Sequence, residues 1–192
     1  LLALIGNVLE IARIESGKET LNEAPWNLKK INDTLEIVLD REILNKQLHV
    51  ARNIEIQHAD VYCDSLKIQE IIMNLVSNAI KYTPDGGKID VDIEEMEAVG
   101  EDSIILRICV SDTGIGISQK YIPHIFEAFT REKNSSESGI MGTGLGLRIV
   151  KSFVDLMDGS VIVQSEPGKG SSFIVEIPPH FSASANTSDS VR

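Results

Sequence analysis

The sequence has few of the residues on which secreted and membrane proteins rely. Its two cysteines, Cys63 and Cys109, are too few for a disulfide framework or a zinc site. No stretch approaches the roughly 20 apolar residues that span a bilayer, and no signal peptide is recognisable. We therefore expect a cytoplasmic, reducing environment and a chain that is not inserted in a membrane.

Positive charge is also scarce, with 18 Lys and Arg against 29 Asp and Glu and a net charge of −11. General nucleic-acid binders carry clustered Lys and Arg, so this balance argues against that class. The 192 residues suffice for one well-buried domain plus an appendage. Because the chain starts inside a helical pattern and without Met, we interpret it as a fragment of a longer protein.

Hydrophobic periodicity predicts helices and strands in alternation. The predicted helices cover residues 1–15, 28–47, 65–82 and 145–157, with a short one around 118–124, and the predicted strands cover 48–56, 61–63, 104–110, 160–164 and 171–177, with another around Ile89, Val91 and Ile93. The near-continuous apolar strand 104–110 is expected at the centre of the sheet, and residues 94–103 as an acidic loop. This order predicts an α/β (α+β) two-layer sandwich, with one mixed sheet and helices on one face.

The helix that contains EIIMNLVSNAIKY organises the chain. At 100° per residue, its polar side chains Glu70, Asn74, Asn78 and Lys81 fall in one sector beside an apolar face. Asparagine oxygens can bind Mg²⁺, and a lysine can neutralise phosphates. The alternative for each asparagine is a hydrogen bond to nearby backbone.

Two glycine-rich stretches indicate a nucleotide site. In SDTGIGI, Asp112 ends the central strand, where a buried carboxylate could accept a hydrogen bond from an adenine amino group while Gly114 and Gly116 allow close approach. In GTGLGL, residues 142–147, glycines open a helix whose N–H groups can bind phosphates. DTG also occurs in aspartic proteases, but these need two such carboxylates, and the chain has one copy.

Five segments in order resemble the boxes of sensor histidine kinases of two-component systems. NLVSNAIKYTPDGG is similar to their N box, and DTGIGI, FEAF, GTGLGL and GKGSSF are similar to their G1, F, G2 and G3 boxes. The resemblance covers about residues 60–178 and implies the ATP-binding catalytic domain, with the Bergerat fold. The stretch before GTGLGL resembles the family's ATP lid, with Phe126 and Phe129 at its hinge.

The resemblance also implies the ligands ATP and Mg²⁺ and assigns residues to them. It implies that Asn78 binds the metal, Asp112 the adenine and Lys81 the phosphates. Asn74 and Glu70 are further catalytic candidates. The other expected nucleotide-binding residues are Tyr82, Gly114, Gly116, Gly142, Thr143, Gly144, Leu145, Gly146, Leu147 and Ser171.

The implied reaction is transfer of the γ-phosphoryl group to a histidine of the upstream dimerisation hairpin, for relay to a response regulator receiver domain. His49, His58, His124 and His180 all lack the acceptor sequence, so the acceptor is expected upstream. Residues 1–18 resemble the end of the second hairpin helix, 19–179 the catalytic domain, and 180–192 a flexible tail. The full-length protein is expected to be a homodimer.

Related ATPases carry a water-activating glutamate four residues before the magnesium asparagine. Here Asn74 occupies that position and cannot act as a general base, which favours phosphoryl transfer over hydrolysis. Two alternatives stay open: a degenerate ATP-binding regulatory domain, and an anti-sigma-type serine kinase of the same superfamily.

Overall fold

The computed structural model describes residues 2–36, 46–58, 60–97, 104–130 and 143–178. In chain order the elements are α1 (Leu2–Glu15), β1 (Ala24–Asn27), a 3-10 turn (Leu28–Lys30) continuing into α2 (described over 31–36), β2 (His49–Glu55), β3 (Asp60–Cys63), α3 (Ser65–Tyr82), β4 (Lys88–Glu97), β5 (Ile104–Asp112), a second 3-10 turn (Ile122–His124), α4 (Gly146–Leu156), β6 (Ser160–Glu166) and β7 (Gly170–Ile177).

Five strands form one mixed sheet in the order β2-β4-β5-β7-β6. The β2–β4 pair is parallel and the other three pairs are antiparallel. Strand β5 lies at the centre, as its continuous apolar sequence predicted. Strands β1 and β3 instead form a separate antiparallel ribbon, which the prediction of a single sheet missed.

One face of the sheet is covered by helices. The alternating residues Ile89, Val91 and Ile93 of β4 are buried, as are Ile108 and Val110 of β5. Helices α3 and α4 pack together, and both contact strands of this sheet. Burying each such side chain contributes about 1.5–3 kcal/mol, so this layer forms the core. The predicted two-layer α/β arrangement is confirmed.

Helix α3 is fixed at both ends. The Asp64 carboxylate accepts a hydrogen bond from the Lys67 N–H at 3.2 Å, as an N-cap should. At the other end, the Lys46 ammonium donates to the carbonyls of Ile80, Lys81 and Thr83 at 2.8, 3.2 and 3.1 Å. The carbonyls that a helix end leaves unpaired are thereby satisfied by a cation.

The segment after α1 is attached to the start of α3. The nearly buried Lys67 ammonium lies 2.7 Å from the Glu19 carboxylate, and the Asn22 N–H donates to Asp64 at 2.9 Å. Helix α1 contacts α4 and buries Ile11, while Leu9 is 60% exposed. The domain division at residue 18 stays a prediction.

Strand β4 runs to Glu97, four residues into the segment 94–103 that we expected to be an acidic loop. It pairs with β5 over that length, and Arg107 of β5 binds both Glu94 and Glu176. This cation offsets the acidic charge that suggested a loop. Around residue 118 a 3-10 turn, Ile122–His124, replaces the expected helix.

Several predicted features lie outside the described residues: most of the second helix (37–45), the rest of the acidic loop (98–103), the lid segment 131–141, Gly142 and the tail from residue 180. Within the described ranges, no helix is both long and apolar enough to cross a membrane.

Candidate functional site

The candidate site lies where β5 and α3 end and α4 begins. Asp112 is the last residue of β5, and its half-buried carboxylate accepts hydrogen bonds from the N–H groups of Gly114, at 2.7 Å, and Ser171. Burial raises the pKa of Asp112 above its ordinary value, and these N–H donors oppose that rise. The result is a strong hydrogen-bond acceptor held at the edge of the core.

Residues 113–117, the glycine turn, follow Asp112 and are held against α3. The Ile115 N–H donates to the Tyr82 carbonyl at 3.2 Å. A Cβ on Gly114 would lie 2.5 Å from that same carbonyl oxygen, so a side chain would push the turn away from α3. Gly116 has a φ of +68°, and its Cβ would meet the Glu166 carbonyl. Both predicted glycines are therefore required by close packing.

The polar edge of α3 faces the start of α4. Glu70, Asn74, Asn78 and Lys81 are all half-buried along this edge. Asn74 donates from Nδ2 to the Glu70 carbonyl at 3.0 Å, so part of its side chain does bond nearby backbone, as the alternative interpretation proposed. Its Oδ1 lies 2.7 Å from the position that a Cβ on Gly146 would take. Asn74 thus joins the two helices that border the site.

Asn78 lies one turn after Asn74 on the same half-buried edge of α3. Its oxygen has the chemistry of a Mg²⁺ ligand. Lys81 follows at the end of the helix, with its ammonium 4.8 Å from the centre of the Tyr82 ring. The structure brings Asn78, Lys81 and Tyr82 together with Asp112 and the glycine turn, near the C-terminal end of α3.

Helix α4 begins beside this edge with an uncapped N-terminus. Its N-cap residue, Leu145, makes no side-chain capping bond, and its first turn contains no acidic residue. Leu145 is fully buried and anchors the turn, while the Gly144 carbonyl accepts from the Phe129 N–H at 3.1 Å. Thr143, Gly146 and Leu147 flank this terminus, and the Thr143 hydroxyl oxygen lies 3.4 Å from the Leu145 nitrogen. The N–H groups at the start of a helix favour an anion.

The two phenylalanines of the FEAF segment differ in burial. Phe126 packs against the core, while Phe129 is 64% exposed and has a positive φ of 62°. The Phe129 N–H donates to the Gly144 carbonyl. The hinge role expected for these two phenylalanines stays a prediction.

Ser171 is buried beside Asp112. The two residues are direct partners across β5 and β7, on the side of the sheet that faces the helices. Sequence reasoning missed the neighbour on the other side, Ser165 of β6. A polar residue at an inward position after Val161 and Val163 was the available signal. Lys46 was also missed, because nothing near it in sequence indicates that it reaches the end of α3.

These residues fit a magnesium nucleotide. A carboxylate and a glycine turn suit the base, the start of α4 suits the phosphates, and the Asn78 oxygen suits the metal. Within the described ranges, no cluster of three or more His, Cys, Asp or Glu side chains could hold a metal by itself. A cation here would therefore depend on asparagine, water and phosphate oxygens.

The chain resembles parts of known sensor kinases. Its sequence is 34% identical to that of the autoinducer 2 sensor kinase/phosphatase LuxQ of Vibrio parahaemolyticus. The aligned region covers 93% of this chain and 21% of LuxQ. The chain spans about a fifth of the length of the curated relatives it matches.

Solved structures agree on the fold. Full-length ShkA in complex with AMPPNP superposes with a TM-score of 0.77 at 26% identity, covering 94% of this chain and 36% of ShkA. Histidine kinase ThkA in complex with the response regulator TrrA superposes with a TM-score of 0.66 at 22% identity, covering 91% and 48% of the two chains.

The profile of one protein family matches residues 63–180, which span the site from β3 to the end of β7. With this match and the sensor-kinase relatives, the chain belongs to the histidine kinase-, DNA gyrase B- and HSP90-like ATPase family.

Proposed function

We propose that this chain binds Mg-ATP and transfers the γ-phosphoryl group to a histidine of an upstream dimerisation hairpin, for relay to an aspartate of a response regulator. The observation that supports it best is the convergence of Asp112, the polar edge of α3 and the uncapped start of α4 on one site. Each of the three suits a different part of one ligand: base, metal and phosphates.

In this proposal the base contacts Asp112, between the glycine turn and Ser171. The carboxylate would accept a hydrogen bond from the adenine amino group. Tyr82 would lie near the base, because its carbonyl accepts a hydrogen bond from Ile115 of the glycine turn. Gly114 and Gly116 keep the backbone close enough for this contact.

We propose that the phosphates bind at the start of α4, where the N–H groups of the first turn can donate hydrogen bonds; the motif also assigns Gly142, which lies outside the described residues. Lys81 would add a positive charge, and Asn78 would offer its oxygen to Mg²⁺, which would supply charge shielding for the phosphates when bound. Glu70 and Asn74 occupy the preceding turns of the same edge and are proposed to organise water around the metal.

Transfer is proposed rather than hydrolysis because Asn74 replaces the carboxylate that would activate water. Its Nδ2 is hydrogen-bonded to the Glu70 carbonyl, so the side chain orients a helix and offers no basic group. An ordered acceptor histidine can then compete with water for the phosphoryl group.

The whole protein is proposed to be a cytoplasmic signalling kinase that works as a homodimer. Residues 1–18 would end the second hairpin helix, 19–179 would form the catalytic domain, and 180–192 would form a tail. A response regulator is the proposed partner, and the sensor-kinase relatives support this proposal.

The test is phosphotransfer in trans to the dimerisation hairpin of the parent protein, with γ-labelled ATP and Mg²⁺. We expect acid-labile label on the hairpin, since phosphohistidine is hydrolysed by acid. Acid-stable label would support the serine kinase alternative, and nucleotide binding without transfer would support the regulatory one.

Asn78→Ala is expected to lower this transfer at least about 10-fold, because the metal loses its protein oxygen. Ser77→Ala is the matched control, since Ser77 is the exposed neighbour on the same helix. Equal transfer by the Asn78→Ala variant and the control would overturn the metal assignment.

A further inference from the structure

Three polar side chains form a row across β6, β7 and β5, on the sheet face that the helices cover. Ser165 is the register partner of Ser171, and Ser171 is the register partner of Asp112. Ser171 is only 9% exposed and precedes the buried Phe173 on the same face. Hydroxyl groups in such a position need hydrogen-bond partners.

Ser165 makes three contacts through one hydroxyl. Its Oγ lies 2.8 Å from the Ile117 nitrogen of the glycine turn, 2.9 Å from the Gly170 carbonyl oxygen and 2.9 Å from the Ser171 Oγ. All three distances are those of normal hydrogen bonds.

The three bonds can exist together with only one placement of the protons. A backbone N–H can only donate and a carbonyl can only accept, so Ser165 accepts from Ile117 and gives its single proton to Gly170. The bond between the two hydroxyls must then use the proton of Ser171. Ser171 is left with lone pairs alone for any other partner.

Asp112, the next member of the row, is also an acceptor. Its ionised carboxylate takes N–H groups from Gly114 and Ser171 and has no proton to offer. Two neighbouring groups at the end of β5 and the start of β7 thus present only acceptors.

We propose that Ser165 is a positioning residue that determines base specificity. It fixes the direction of the Ser171 proton, so that Ser171 and Asp112 present only hydrogen-bond acceptors to the base. Such an edge matches the 6-amino group of adenine and opposes the 6-oxo group of hypoxanthine or guanine. The inference rests on the proposed nucleotide site. It adds a residue that would not touch the base and would act through Ser171.

The test compares the affinities for Mg-ATP and Mg-ITP, measured by calorimetry on the whole chain. These nucleotides differ at position 6, which carries an amino donor in ATP and an oxo acceptor in ITP, and at N1, which is an acceptor in ATP and an N–H donor in ITP. Their affinity ratio therefore reports the donor or acceptor character of the protein groups that face this side of the purine. Ser165→Ala releases the Ser171 proton, and the ATP-to-ITP affinity ratio should fall about 5–10-fold, the effect of roughly one hydrogen bond. Ser165→Thr keeps the hydroxyl and should keep the ratio.

Ser172→Ala is the matched control. Ser172 follows Ser171 but points to the other face of the sheet, where its Oγ lies 2.8 Å from that of Ser111. It should leave the ratio unchanged. A purely structural role for Ser165 would weaken both nucleotides equally in Ser165→Ala, and this outcome would overturn the inference.

The remaining outcomes separate the inference from the proposed function. Wild-type protein that binds neither nucleotide would overturn both. Wild-type preference for ATP that persists unchanged in Ser165→Ala would overturn the inference alone. Should Ser165→Ala lose its circular dichroism signal, Ser171→Ala decides: a lowered ratio supports the acceptor edge, and an unchanged ratio contradicts it.

Discussion

At the scale of single residues, the environment of Asp112 combines two opposing effects. Burial disfavours its charge, while the N–H donors of Gly114 and Ser171 favour it, and the balance leaves the pKa raised above 3.8. A charged group kept ionised in this position costs stability at neutral pH. Such a cost is typical of residues that serve binding.

Asp112 should therefore give the stability a recognisable pH dependence. Because its folded pKa is above the unfolded value of 3.8, its favourable contribution is fully present below that pH and is lost as the pH rises through the folded pKa. Relative to Asp112→Asn, which does not titrate, the wild-type free energy of unfolding should decline over that interval. Urea unfolding of both proteins from about pH 4 to pH 7 measures this. A difference between the two proteins that stays constant over the range would contradict the raised pKa.

The two cysteines should differ sharply in reactivity. Burial, together with Asp64 and Glu23, raises the pKa of Cys63 to about 12, whereas Cys109 is half-exposed on the face of the sheet opposite α3 and α4. Since the thiolate is the reactive form, a maleimide at about pH 8 should label Cys109 and spare Cys63 until the protein unfolds. Mass spectrometry of Cys109→Ser with and without denaturant checks this. Rapid labelling of that variant in its folded state would show that Cys63 is not buried.

At the scale of elements, α3 is the one on which the site depends. It buries one face in the core, presents Asn74, Asn78 and Lys81 along its edge, and ends at the Tyr82 carbonyl that holds the glycine turn. A small shift of its last turn would move the metal ligand and the base pocket together. Its attachment at that end is therefore part of the site.

Lys46→Met tests this attachment. The variant keeps the aliphatic stem but removes the ammonium that binds three carbonyls, and we expect a loss of about 1.5–3 kcal/mol in the free energy of unfolding. Nucleotide affinity should fall as well, because Lys81 and Tyr82 lose their support. Lys120→Met, at an exposed lysine, is the control for charge removal. Equal stabilities for these two variants would refute the capping role.

The sequence predicts those elements whose causes are local. Helix α3 follows from its own periodicity and from the Asp64 cap, and the central place of β5 follows from its unbroken apolar run. The glycine turn and the start of α4 were likewise readable as motifs.

Features that depend on distant partners were not predicted. Strand β1 pairs with β3, whose residues lie more than thirty positions away along the chain. The sequence of Ala24–Asn27 does not predict that partner. Lys46 reaches Ile80 across 34 positions. The extension of β4 depends on Arg107, which only the sheet register places beside Glu94. In each case the cause is a contact that exists only after folding.

At the scale of the whole molecule, an acidic chain of net charge −11 is proposed to bind a polyanion. The cations near α3 are mostly committed elsewhere: Lys67 pairs with Glu19 beneath the Phe153 ring, and Lys46 caps the helix. Lys81 is the lysine of α3 that lies on its polar edge. In our proposal the phosphate charge is met by Lys81, by the start of α4, whose first turn contains Arg148, and by Mg²⁺, so we expect binding to depend on the metal.

Calorimetric titration of the chain with a non-hydrolysable ATP analogue, with and without Mg²⁺ and alongside Asn78→Ala, tests this claim most directly. The account predicts saturable binding by the wild-type chain with Mg²⁺, and much weaker binding when either the metal or the Asn78 carboxamide is removed. Binding that is absent from the folded wild-type chain, or equally strong without the metal and in the variant, would contradict it.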